Sequence, residues 1–192
     1  MHSPRSGEGG PERSECGAQS ECRPEREDMT REMAAGQPPA KSVQEVETRL
    51  IGMFATLYSS AIEAMCARYG PEALDVARRA FMDTMVGLSK ENLAALPERD
   101  LQTYVGWLTT DGTEQGHRCE TVESTERSIR LKYLDCPWAT AFRAVGHPEI
   151  GKFFCDADAP IAAAFNPTIK FDRSMTLMEG DEYCNHHFYA EP

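Results

Sequence analysis

The sequence predicts an α+β domain in which N-terminal helices pack on a C-terminal mixed, mainly antiparallel sheet with short helices, preceded by a disordered tail. Three observations carry this. Residues 1–42 contain no Val, Ile, Leu, Phe, Trp or Tyr, so they cannot bury enough apolar surface to offset their ordering entropy. From residue 43 apolar side chains recur every three or four positions, the helical period. After about residue 118 the period shortens to two, the strand period.

The elements follow in order. Ser42 with Glu45 is a capping-box pair in front of Val43, Val46, Leu50, Phe54, Leu57, Ala61 and Met65, a long amphipathic helix ending at Gly70. Pro71 opens a second helix with Leu74, Ala77, Phe81, Met85 and Leu88 on its buried stripe. Ser89 is read as the cap of a short helix over Leu93 and Leu96. Leu101, Tyr104, Val105 and Leu108 form another helix before a turn at Thr110-Asp111-Gly112. Ile129, Leu131 and Tyr133 alternate with polar residues as a half-buried strand, with 118–124 as its hairpin partner. Pro137 opens a helix that stops at Gly146, and 149–154 adds one or two helical turns. Residues 168–171 and 175–178 read as strands, Glu179-Gly180-Asp181 as a turn, and 183–189 as the last strand. The domain therefore spans 43–192, with 1–42 as tail.

The chain of 192 residues carries 31 Asp+Glu against 20 Lys+Arg, a net charge of -11. The tail holds only six Lys+Arg and eight Asp+Glu, so the acidity belongs mainly to the domain. An acidic surface repels phosphate backbones and anionic lipid, which excludes a nucleic-acid or membrane partner and leaves a small molecule or a protein, a homo-oligomer among them. No apolar stretch is expected to reach the roughly 18 residues of a spanning helix, and no h-region follows the early arginines. Seven Cys without regular spacing fit a reducing cytoplasm better than a disulfide framework. Cys16 and Cys22 in the tail are read as spare thiols.

Reactive residues concentrate late in the chain: Cys136, then Cys155-Asp156-Ala157-Asp158, then Cys184-Asn185-His186-His187. On an extended strand Cys184, His186 and Phe188 share one face and Asn185 and His187 the other. A thiol beside an imidazole is a sensible nucleophilic pair, and Cys is equally at home in a core. Asp156 and Asp158, just before Pro160, fit helix capping as well as catalysis.

Cys136-Pro137-Trp138, Phe154-Cys155-Asp156-Ala157-Asp158, Phe165-Asn166-Pro167, Phe171-Asp172-Arg173 and 176–184, in this order and spacing, resemble the L-2-amino-thiazoline-4-carboxylic acid hydrolase family over about residues 45–190. Asn185 stands where the family more often has an acidic residue. The resemblance implies a hydrolase: water adds to the ring carbon between nitrogen and sulfur of a cyclic amidine or thioimidate, and the thiolate leaves to give an N-carbamoyl amino acid. Such chemistry needs a base, a nucleophile or proton donor, and a cation for the substrate carboxylate. Asp156 or His186 is the candidate base, Cys184 or Cys155 the nucleophile or donor, and Arg173 the anchor, with Asn185 and Trp138 as further substrate contacts. No cofactor is required. A second reading starts from Cys136, Cys155 and Cys184 as the thiolates of a zinc site, an order that loosely resembles 4-vinyl-reductase-like small-molecule-binding modules.

Overall fold

The computed structural model describes Ser42–Glu191; the expectations for the tail, Cys16 and Cys22 included, lie outside these residues. The first helix, α1 (Val43–Tyr69), starts as expected. Ser42 Oγ accepts the Glu45 N–H at 3.2 Å and the Glu45 carboxylate accepts the Ser42 N–H at 2.7 Å, so two orphan donors are satisfied reciprocally. At its other end Gly70 sits at φ 96°, a conformation that costs glycine least. α2 (Glu72–Leu93) and α3 (Leu101–Glu114) follow, α3 being capped by Asp100, whose Oδ1 accepts the Thr103 N–H at 2.7 Å.

The hairpin β1 (Arg118–Ser124) and β2 (Ser128–Asp135) leads into three short helices, α4 (Pro137–Ala144), α5 (Pro148–Asp156) and α6 (Asp158–Phe165). Two more strands, β3 (Ile169–Asp172) and β4 (Cys184–Ala190), complete a four-stranded sheet of order β1-β2-β4-β3. Every neighbouring pair is antiparallel. The fold is thus α+β, with helices packed on a sheet that is wholly antiparallel.

Register sets the interior. Ile129 pairs with Phe188, Leu131 with His186 and Tyr133 with Cys184, and all six are buried. Their face packs on Tyr104, Val105, Phe165 and Leu93, forming one core. Phe142, Ile150, Phe153 and Met178 form a second with Ala55, Ile62 and Ala77 of the first two helices. Leu177 packs against both cores.

Several expectations are corrected. Most of the large apolar stripe of α1 faces outward: Val43, Val46, Leu50, Leu57 and Met65 are exposed, Phe54 is part-exposed with its ring packed on Trp138, Phe142 and Phe154, and Ala55, Ser59 and Ile62 turn inward. Small side chains let α2 and α4 pack close to α1, so its buried side carries little of its hydropathy. An 18-residue window of α1 has a mean hydropathy of 1.4, so by length and composition this helix, alone among the described residues, is apolar enough to cross a membrane. Ser89 caps nothing; it is a buried residue within α2. α3 runs through the expected turn at Thr110 and closes near Gly116, at φ 84°. Residues 175–178 form no strand: 175–176 are irregular and lead into a turn at 177–180, because Asn185 Oδ1 accepts the Met175 N–H and Asp181 Oδ2 the Thr176 N–H, both at 2.7 Å. α6 was not anticipated, although Ala157, Ile161, Ala162 and Phe165 have helical spacing and are all buried.

Candidate functional site

Where the open side of the β2–β4 face meets α2, α3, α5 and α6, a cavity of about 340 Å³ remains. Trp138 at the start of α4 and Phe154 in α5 stack 4.2 Å apart as one wall. Tyr104 and Trp107 of α3 line another part, with Met85 and Leu88 from α2. Into this largely aromatic space project three thiols, Cys136, Cys155 and Cys184, and a small polar group of Asp158, Arg173 and His186.

Helix phase decides which aspartate belongs. Asp156 closes α5 and turns outward, where its Oδ2 accepts Arg78 Nη2 of α2 at 2.6 Å. Asp158 opens α6 and turns inward. Arg173, just past β3, reaches back across it: Nη1 donates to Asp158 Oδ2 at 2.8 Å and Nη2 to the Cys155 carbonyl at 3.0 Å. Its other guanidinium N–H groups are free for a ligand among the described residues. Burial pushes the Asp158 carboxyl up to about 6, although the Arg173 cation works in the opposite direction.

His186 comes from the buried face of β4. Its ring lies 4.6 Å from Tyr133 and 5.1 Å from Phe171, centroid to centroid, and its Nε2 is 4.0 Å from Asp158 Oδ2. Burial, and then the Arg173 charge and His117, hold its pKa down at about 3, so the imidazole is neutral over the physiological range. Its Nδ1 is buried, and no described protein group reaches it. An orphaned buried polar atom costs free energy until a partner pairs with it.

The thiols differ among themselves. Burial pushes Cys155 up to about 12 and Cys136 up to about 11, so both are protonated at neutral pH. Cys136 also caps α4, its Sγ accepting the Ala139 N–H at 3.4 Å. Cys184 Sγ accepts the Leu177 N–H at 3.2 Å. Thr176 Oγ1 lies 3.7 Å from both Cys155 and Cys184 Sγ, a polar link between the two sulfurs. Among the described residues no three His, Cys, Asp or Glu side chains are placed to share a metal ion, so Cys136, Cys155 and Cys184 do not assemble a zinc set.

The structure therefore brings together Cys184, His186, Cys155, Arg173 and Trp138 and leaves two sequence candidates outside. Asp156 is held at the surface by Arg78. Asn185 points to the other face of β4, where its Oδ1 accepts the N–H groups of Ser174 and Met175 and its Nδ2 donates to Ser174 Oγ at 2.8 Å. That clamp fixes the segment carrying Arg173. In the sequence Asp158 fits a helix cap as well as catalysis, and no role in the reaction is assigned to it there. Tyr104, His117 and Asp111 also line the cavity but belong to α3 and its exit, far along the chain from any reactive motif. Burial lowers the pKa of His117 and raises that of Asp111.

A family model described as L-2-amino-thiazoline-4-carboxylic acid hydrolase matches residues 51–188, a span that contains every cavity residue named above. No curated protein matches the chain.

Proposed function

The chain belongs to the L-2-amino-thiazoline-4-carboxylic acid hydrolase family, and from that premise we propose that it opens a small cyclic amidine or thioimidate in the cavity beside Asp158. The observation that carries this reading is the pairing of an acid poised near neutrality with a neutral, unpartnered imidazole and a buried guanidinium. A carboxyl near 6 both takes and returns a proton efficiently at neutral pH. It therefore assumes the base role that the sequence alone offered to Asp156 or His186.

In the proposed reaction the substrate ring stacks against Trp138 and Phe154, and its carboxylate accepts the spare Arg173 N–H groups through a forked contact. Asp158 removes a proton from a water as the oxygen bonds to the ring carbon between nitrogen and sulfur. The carbon–nitrogen double bond becomes single and the ring nitrogen receives that proton. In the second half the carbon–sulfur bond breaks, the carbonyl forms, and the hydroxyl proton passes to the departing sulfur through Asp158 or the Cys155 thiol. The sum is one water added, one free thiol and one carbamoyl group formed. His186 pairs with the exocyclic amino group through its otherwise orphaned Nδ1, and Cys184 stands beside the reacting carbon as a proton donor.

The test is direct. The purified full chain is offered 2-amino-thiazoline-4-carboxylate and a panel of cyclic amidines and thioimidates, with released thiol and product mass as readouts. Stoichiometric thiol with a mass gain of one water supports the proposal, and no turnover of any member refutes it.

A further inference from the structure

α1 has two distinct faces, and only one is used within the described residues. Ala55, Ser59 and Ile62 face α2 and α4. On the far side Val43, Val46, Leu50, Met53 and Leu57 recur at alternating steps of three and four, and Val43, Leu50 and Leu57 are 75%, 57% and 67% exposed. The same steps continue through Ser60, Ala64 and Ala67, all exposed. A repeat of 3.5 residues over a helix about 40 Å long is the pattern of a seam between two helices, not of a single buried stripe.

We propose that a second copy of this chain covers the face, with the two α1 helices antiparallel about a two-fold axis. The first argument is size. An axis level with Ala55 sets Val43 against Ala67 of the other copy, Val46 against Ala64 and Leu50 against Ser60, three bulky residues each meeting a small one, with Met53 and Leu57 packing on each other beside the axis. A parallel pair would crowd all the large residues at one end and leave the small ones facing each other across a gap. The second argument is charge. Arg49 and Glu63 flank the same edge of the seam and occur twice by symmetry; in the antiparallel pair each Arg49 lies beside the other copy's Glu63, whereas in a parallel pair it meets Phe54. Glu63 is available for this, its side chain being 59% exposed even beside His147. The net charge of -11 disfavours an anionic lipid surface as the occupant.

Sedimentation equilibrium of the full chain tests the proposal, with circular dichroism as the folding control. The parent should be a dimer at micromolar concentration. Leu57→Glu should be a folded monomer. Arg49→Glu should raise the dimer Kd by roughly tenfold, and the swap Arg49→Glu with Glu63→Arg should bring it back toward the parent value. A monomeric parent, a dimer indifferent to Leu57→Glu, or a swap no tighter than Arg49→Glu alone would each overturn it. A monomeric parent that floats with phosphatidylglycerol vesicles would assign the face to lipid instead. None of these outcomes depends on the reaction proposed above.

Discussion

Asp158 and His186 titrate in opposite senses on folding, and that opposition can be measured. Burial raises Asp158 from its ordinary 3.8 to about 6, so between those values the folded state holds a proton that the unfolded chain has lost. Stability contributed by this group therefore falls as pH rises through the window, by about 3 kcal/mol at 1.36 kcal/mol per tenfold change in proton concentration. His186 is lowered from 6.5 to about 3; its stabilising neutrality is fully present above 6.5 and is lost as pH falls, again by about 3 kcal/mol between pH 6.5 and 4. The two slopes nearly cancel in the parent. Asp158→Asn should unmask the histidine, so that acidification from pH 6.5 to 4 costs about 3 kcal/mol more than in the parent, roughly 6 to 12 °C in Tm for a domain of this size. His186→Gln should do the reverse and gain stability relative to the parent over the same interval. Because only differences from the parent enter, contributions from His117 and the surface carboxylates drop out. Urea titrations at five pH values supply the readout. Variant and parent curves that run parallel would refute the assignment of either group as buried and perturbed.

Three further outcomes are expected. Gly151 lies inside α5, where an added Cβ would come within 2.7 Å of Phe142 Cβ and 2.5 Å of Met178 Sδ; Gly151→Ala should therefore destabilise by about 1 to 3 kcal/mol despite its better helix propensity, and a stabilised variant in chemical denaturation would contradict that packing. Asn185→Ala releases the N–H groups of Ser174 and Met175 and should loosen Arg173, raising KM more than it lowers kcat; an unchanged KM would show that the clamp does not reach the site. Asp156→Asn should keep turnover within about threefold of the parent, well short of the 10² or more that a general base contributes, and a larger loss would return Asp156 to the chemistry.

Much of this organisation is legible in the sequence itself. The capping box at Ser42, the hairpin of alternating Ile129, Leu131 and Tyr133, and the shared face of Cys184, His186 and Phe188 all rest on local chemistry that tertiary contacts reinforce. What escaped the sequence was decided at longer range. Large residues marked the wrong face of α1, because the close approach of α2 and α4 selects Ala55 and Ser59. The strand expected at 175–178 does not form because side chains from later in the chain, Asp181 and Asn185, capture the N–H groups of Thr176 and Met175. Asp156 and Asp158 differ by two positions and one break between helices, and composition cannot tell which of them turns inward. His117 and Tyr104 reach the cavity only through the packing of α3 on the sheet, and no motif announces them.

The central claim, that Asp158 is the proton-transfer group of a hydrolytic cavity, is tested most directly by the pH dependence of kcat/KM for thiol release from 2-amino-thiazoline-4-carboxylate. The parent should rise through about pH 6 as the Asp158 carboxyl ionises and level off above it. Asp158→Asn should be slower by about a hundredfold or more and lack that inflection. A variant that keeps the parent rate with the same inflection would contradict the account.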